Sequence, residues 1–357
     1  MNIILKMENE NEIYKRIINF YNNSYINNEN KEHDLSYNKW VIKDNNIKLL
    51  CAHINIPKDK ELIDKIIERR DYECELKLIK WITEDKEHKN QFIKNTKNHL
   101  NKSSEILPYE FNCVSMNKDD NHNNYINASY ISGLFNEDKI IFIATQEPYK
   151  ETVFSFWSMI ILHKINIIIN FTDKTNECYF PIKKGDNLII EKIIDKEEEN
   201  NINTDLNENI IISLLDEEFL IENHLILRIL KVNEDIEIKQ YQILNWEQHN
   251  IPNDEIIANK IINHLIKVVN INRKQKPDIP ILIHCLAGIG NTGMFIAIYQ
   301  IIKCLETIKG IKKDYILNVF NIVRKLREQR YSMVTDTSQY KFIYTYCLNW
   351  IKENIDK

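Results

Sequence analysis

The stretch ILIHCLAGIGNTG, residues 281–293, limits what this chain can fold into more than any other. Its first residues read as a short buried strand, and NTGMFIAIYQIIKCLETI reads as a helix with Phe295, Ile296, Ile298, Ile301 and Ile302 inward. Between them run Cys285, Leu286, Ala287, Gly288, Ile289, Gly290, Asn291, Thr292 and Gly293. The whole chain of 357 residues has six glycines, and half of them lie here. A glycine-rich loop leading into a helix turns successive backbone N–H groups inward and adds the positive end of the helix dipole. Such a loop cradles an anion. A cysteine at its start is expected to have a depressed pKa and to act as a nucleophile. The alternative is a tight turn beside an inert cysteine. The spacing Cys-X-X-Gly-X-Gly-X-X-Gly, with His284 in front, favours the cradle.

Composition narrows the remaining possibilities. A chain that is 43% hydrophobic and 28% charged can bury a full core. A net charge of −5 gives no general reason to expect a nucleic-acid or membrane partner. The seven scattered cysteines contain no Cys-X-X-Cys pair, and the histidines show no metal-ligand spacing. Reduced thiols, no metal and no cofactor are therefore expected. The opening MNIILKMENENE is too short an apolar run for a signal peptide, and SMIILHKINIIINF is too short and too charged to span a bilayer. We expect a cytoplasmic monomer.

Residues 1–60 are Asn-rich and are treated as an extension of unknown role, with residues 61–357 as the main domain. Helical spacing recurs at Leu62, Ile63, Ile66 and Ile67, then at Leu76, Leu78, Ile79 and Ile82. NHNNYINASYI and KIIFIATQEP read as strands, KETVFSFWSMIILHK as a helix, and INIIINF as a buried strand. The acidic run 195–209 reads as a solvated loop, followed by the strands NHLILRILKV and IEIKQYQILNW. A helix follows PND, and three more are expected at about 291–306, 313–329 and 337–354. Strands in the middle with helices around them imply an α/β or α+β domain with a central mixed sheet.

HCLAGIGNTG resembles the signature loop of the tyrosine-specific protein tyrosine phosphatases, His-Cys-X-X-Gly-X-X-Arg-Ser/Thr-Gly. Six further segments follow the family's order. ILPYE (106–110) is similar to Leu-Pro-Tyr-Asp, NYINASYI (124–131) to Asp-Tyr-Ile-Asn-Ala-Ser, and FIATQEPYKETVFSFWSMI to the segment that opens Ala-Thr-Gln-Gly-Pro. ECYFP (177–181), WEQHNIP (246–252) and YSMVTDTSQYKFIY (331–344) resemble Lys-Cys-X-X-Tyr-Trp-Pro, the mobile Trp-Pro-Asp loop and the closing Met-Val-Gln-Thr…Gln-Tyr segment. The resemblance implies the phosphatase fold over most of the chain. It also implies Cys285 as nucleophile toward phosphotyrosine, Thr292 as the hydroxyl assisting the departing thiolate, and residues 286–291 as the phosphate cradle.

The departures carry as much weight as the matches. The arginine that grips phosphate is Asn291, which has no charge and no bidentate fork. The general acid is Gln248, whose amide cannot give up a proton at neutral pH; Glu247 beside it reads as a solvent-facing loop carboxylate, with a displaced acid as the alternative. Thr335 stands for the water-positioning glutamine, whereas Gln339 keeps the family's second glutamine. Leu100, in KNHL, replaces the tyrosine that stacks on the substrate ring, on an alignment complicated by a nearby length difference. An arginine supplied to a phosphoryl transfer is worth about 10³–10⁵ in rate, and a general acid about 10²–10⁴. The expectation is a pseudophosphatase that binds phosphotyrosine-containing or other host signalling proteins. An active phosphatase working through Cys285, and a scaffold that binds no phosphate, are the alternatives. The eroded motifs and AT-rich composition resemble the phosphatase-like proteins of bracoviruses.

Overall fold

The computed structural model describes residues 54–56, 60–84, 86–94, 98–116, 125–133, 140–173, 179–191, 209–233, 235–246, 251–252, 254–308 and 315–354. Gln248 and Glu247, the acidic run up to residue 208, and the chain before residue 54 lie outside them.

In chain order the elements are β1 (Ile54–Ile56), α1 (Lys60–Arg69), α2 (Tyr72–Thr83), α3 (Lys86–Lys89), β2 (Ala128–Ser132), β3 (Ile140–Gln146), α4 (Val153–Leu162), β4 (Ile167–Asn170) and β5 (Asn187–Ile190). They continue as β6 (Ile210–Ile221), β7 (Leu225–Val232), β8 (Ile236–Ile243), α5 (Glu255–Gln275), β9 (Ile281–Cys285), α6 (Gly290–Ile308), β10 (Tyr315–Leu317), α7 (Val319–Arg327) and α8 (Thr337–Asn354). Eight strands make one sheet in the order β2-β3-β9-β4-β8-β7-β6-β5. The four neighbours β3, β9, β4 and β8 run parallel, and antiparallel strands extend the sheet on both sides. This is the mixed sheet of an α+β domain.

Alternation along the parallel strands divides the core between the two sheet faces. Phe142, Ile281, Ile283 and Ile169 pack with α2, α5, α6, α7 and α8, while Ile143, Leu282 and Ile168 face the layer built on α4. Phe156, Trp157 and Ile160 of α4 are buried as their spacing predicts. Asp254 caps α5, accepting from the Ile256 and Ile257 amides at 2.9 and 3.1 Å. The helix expected from about residue 313 begins later. Tyr315–Leu317 pair antiparallel with Ile54–Ile56, and Asn318 caps α7 by accepting from the Asn321 amide at 3.0 Å. The expected domain boundary at residue 60 therefore falls just after a strand paired with β10 of the main domain. Among the described residues, no helix is long and apolar enough to cross a membrane.

Candidate functional site

β9 runs buried between β3 and β4 and delivers Cys285 to the sheet's edge, where α6 starts five residues later. The three glycines are held there by their neighbours as much as by any anion. Gly288 has φ +69°, and a Cβ on it would lie 2.1 Å from the Thr145 carbonyl oxygen. On Gly290 a Cβ would meet Gln339 Nε2 at 2.9 Å, and on Gly293 the Val334 amide nitrogen at 2.8 Å.

Every carbonyl from Leu286 to Ile289 is drawn outward. The Glu147 amide donates to Leu286 O at 3.1 Å, and the Gly293 and Val334 amides to Ile289 O, each at 3.0 Å. Arg330 holds the two between, with Nη2 donating to Ala287 O at 3.0 Å and Nε to Gly288 O at 2.9 Å. In a trans peptide the N–H points opposite to the preceding C=O. The amides of residues 287–290 are thus turned toward the hollow of the loop, and none donates to a described backbone group.

The side chains around it are mostly neutral. Asn291 is buried and its Oδ1 accepts from Gln339 Nε2 at 2.9 Å. Gln339 is itself fixed, since its Oε1 accepts from the Thr335 amide at 3.1 Å and the Asp336 amide at 3.4 Å. Asn291 has therefore committed its oxygen to the protein, and its NH₂ is the end left for a ligand. Thr335 also donates its hydroxyl to Asp336 Oδ2 at 2.6 Å and receives Lys80 Nζ on its carbonyl at 2.7 Å. Thr292 is fully buried and its hydroxyl bonds no described group, Cys285 included. Leu100 ends a short 3₁₀ turn, half-buried, with its carbonyl accepting from Gln146 Nε2 at 2.9 Å. Gln146 is the β3 partner of Cys285, so this turn lies alongside the cradle.

Two charged groups at the site, Arg330 and Glu147, were not anticipated, and His284 was named only as the residue in front of Cys285. Arg330 is fully buried beneath the loop and also donates to Ser129 Oγ at 3.1 Å and Asn127 Oδ1 at 2.8 Å. All its partners are neutral, so it is a buried cation supporting the cradle from below. Glu147, where the family's segment has glycine, is buried and ion-paired to Lys102 Nζ at 2.6 Å. His284 lies 2.7 Å through Nε2 from the Tyr179 hydroxyl oxygen. Burial, and then the Lys102 charge, push its imidazole down to about 3, so the ring is neutral. Arg330 could have been suspected only from a partner set made of backbone carbonyls, which no sequence spacing encodes. Glu147 was visible as a departure within ATQEP.

Five buried polar atoms at this end of the sheet make no hydrogen bond to a described group: Glu147 Oε1, Asn170 Nδ2, Trp246 Nε1, His284 Nδ1 and Thr292 Oγ1. They lie at or after the ends of the four parallel strands β3, β4, β8 and β9. Leaving such a group unsatisfied costs roughly 1–3 kcal/mol. The carboxyl ends of parallel strands are where ligands bind in open sheets.

Comparison with known proteins gives the family and the fold. The sequence model of the family described as protein-tyrosine phosphatase matches residues 97–349. Tyrosine-protein phosphatase non-receptor type 20 of Rattus norvegicus is 29% identical over 255 residues, covering 68% of this chain and 52% of that protein. Receptor-type tyrosine-protein phosphatase epsilon of Homo sapiens is 33% identical over 253 residues, covering 67% of this chain and 32% of that protein. The chain thus spans about half or less of the length of these relatives. Among solved structures, the catalytic domain of human protein tyrosine phosphatase non-receptor type 18 superposes with a TM-score of 0.60 at 22% identity, covering 82% of this chain and 99% of that one. The same phosphatase solved in complex with HER2 phosphopeptides gives a TM-score of 0.61 at 20% identity, covering 81% of this chain and 98% of that one.

Proposed function

Since this chain belongs to the protein-tyrosine phosphatase family, we propose that it is a phosphatase-like protein with little or no turnover that still takes phosphotyrosine-bearing proteins into its cradle. The observation that carries the reading is the hydrogen bond from Gln339 Nε2 to Asn291 Oδ1 at 2.9 Å. Where the family places a guanidinium fork, this site offers one neutral amide, already half engaged. An amide donor does not match the charge that builds on a transferring phosphoryl group. Gln248, at the general-acid position, adds a second loss on the sequence alignment.

Binding is supported by what remains. The carbonyls of residues 286–289 are still tied outward, Arg330 still supplies positive charge below, and five buried polar atoms at this end of the sheet make no hydrogen bond to a described group. A scaffold with no use for its pocket would gain by closing those groups off, which argues against the reading that it binds nothing. That a related phosphatase has been solved with HER2 phosphopeptides supports phosphotyrosine as the ligand class. The finer reading is of a cytoplasmic, monomeric, bracovirus-type member acting on host signalling proteins through a domain of residues 61–357. It rests on the motif losses and composition.

The test pairs binding with turnover. A phosphotyrosine peptide and its unphosphorylated twin are titrated into the purified chain, and phosphate release is followed beside a Cys285→Ser control. We expect selective binding of the phosphopeptide and release no faster than the control. Release clearly above the control makes the protein an enzyme; equal binding of the two peptides makes it a scaffold.

A further inference from the structure

Gln339 is the third residue of α8, and its side chain reaches back over the helix start as the return half of a capping box. Its Oε1 accepts from the Thr335 and Asp336 amides at 3.1 and 3.4 Å. Main-chain N–H groups can only donate, so the two ends of this side-chain amide are not interchangeable. Nε2 is left for the opposite side, where it donates to Asn291 Oδ1 at 2.9 Å. Asn291 is buried, and with its oxygen taken the side chain has only N–H donors to offer a ligand. The amides of residues 287–290 offer the same kind of group. The donors described around the hollow are therefore neutral ones.

The charges beside the hollow cancel in pairs. Lys102 Nζ is 2.6 Å from Glu147 Oε2, and the Glu147 amide holds Leu286 O. Lys80 Nζ donates to Thr335 O at 2.7 Å, while the Asp336 carboxylate accepts from the Thr335 hydroxyl at 2.6 Å. Arg327, which donates to Val334 O, is ion-paired to Glu84. His284 is neutral. Around the cradle, among the described residues, Arg330 is the cation left without an anion, and its printed contacts are all protein oxygens. The start of α6 adds roughly half a positive charge. Together these balance one negative charge on a ligand. A second one would be buried without a counter-charge, which is costly. We propose that the cradle is matched to a tetrahedral tyrosine ester carrying a single negative charge, so that it holds sulfotyrosine, or phosphotyrosine in its singly ionised form, in preference to the phosphotyrosine dianion. This rests on the reading that the cradle takes a tyrosine ester, and adds the charge on that ester.

The test uses one peptide sequence with its tyrosine bare, sulfated or phosphorylated. Each is titrated into the full chain carrying Cys285→Ser, in which no thiol titrates and no turnover consumes ligand. The sulfate ester keeps one charge throughout, whereas the phosphate ester loses its second proton near pH 6, so about 3% of it is singly charged at about pH 7.5. There the sulfopeptide is expected to bind about ten- to thirtyfold more tightly than the phosphopeptide, and at about pH 5.5 the gap is expected to close to about twofold or less. Both esters meet the same protein, so the ratio of their affinities cancels the titration of the protein's own groups. A phosphopeptide bound as tightly as the sulfopeptide at the higher pH, or a ratio that does not move with pH, overturns the proposal and leaves the proposed function standing. If neither ester binds better than the bare peptide, both readings fall. Adding Asn291→Arg supplies the missing charge and is expected to invert the order at the higher pH. A folded Asn291→Arg chain that still prefers the sulfopeptide overturns the assignment to this position; if that chain does not fold, the pH dependence of the ratio decides alone.

Discussion

Cys285 and Asn291 sit six residues apart, and on the proposed reading the first keeps the nucleophile while the second loses the arginine that would grip phosphate. Both positions could be proposed from the sequence because the loop is written in consecutive residues, where spacing and side-chain chemistry can be read together. The structure adds that Asn291 is engaged by Gln339, so its replacement of arginine is accommodated by a neighbour rather than left as a gap. A repair follows at this scale. Asn291→Arg with Gln248→Asp is expected to raise phosphate release from a phosphotyrosine peptide by about 10² or more, the lower end of what either group contributes alone. The increase should vanish when Cys285→Ser is added, and silence in the doubly repaired chain would count against the alignment of roles. Arg330 was not legible in the same way. Its contacts, Ala287 O and Gly288 O, are backbone atoms more than forty residues earlier, and any acceptor would leave the same sequence.

At the scale of elements, strong periodicity carried the reading and weak periodicity defeated it. α4, α5, α6 and α8 were visible because their apolar faces repeat over at least ten residues. β5 and β6 went unnamed. β5 is four residues long, and β6 carries Asp216, Glu217 and Glu218 in its exposed second half, where a charged run hides the alternation. β10 is three residues, identifiable only through its pairing with β1. The cradle itself is a junction of elements: β9 and α6 supply the chain, and the segment between α7 and α8 supplies Arg330 and Val334. Arg330→Met should test that junction. With the guanidinium gone, four neutral acceptors lose a donor, and we expect a loss of at least about 2 kcal/mol in urea unfolding. Faster amide exchange should be concentrated at residues 287–290. A global loss of stability with unchanged local protection there would mean that the loop is held without Arg330.

The molecule as a whole has a net charge of −5, yet the sheet places a buried guanidinium beneath the cradle and a neutral imidazole at its base. Neither follows from composition, because burial is a property of the assembled sheet and not of any segment of it. That assembly gives stability a predictable dependence on pH. His284 is lowered from 6.5 to about 3, first by burial and then by the Lys102 charge, so its folded value lies below its unfolded one. Between those two values the unfolded chain binds the extra proton. Stability is therefore intact above the unfolded value and falls as the solution is acidified below it, by up to about 1.4 kcal/mol for each pH unit. His163 and His264 are also lowered by burial and act in the same direction, although both are less enclosed than His284. The contribution of His284 is isolated by comparing wild type with His284→Gln in urea unfolding between about pH 7 and pH 5. The wild type should lose stability more steeply, whatever the variant's stability at neutral pH. Parallel slopes would mean that the imidazole is charged in the folded state.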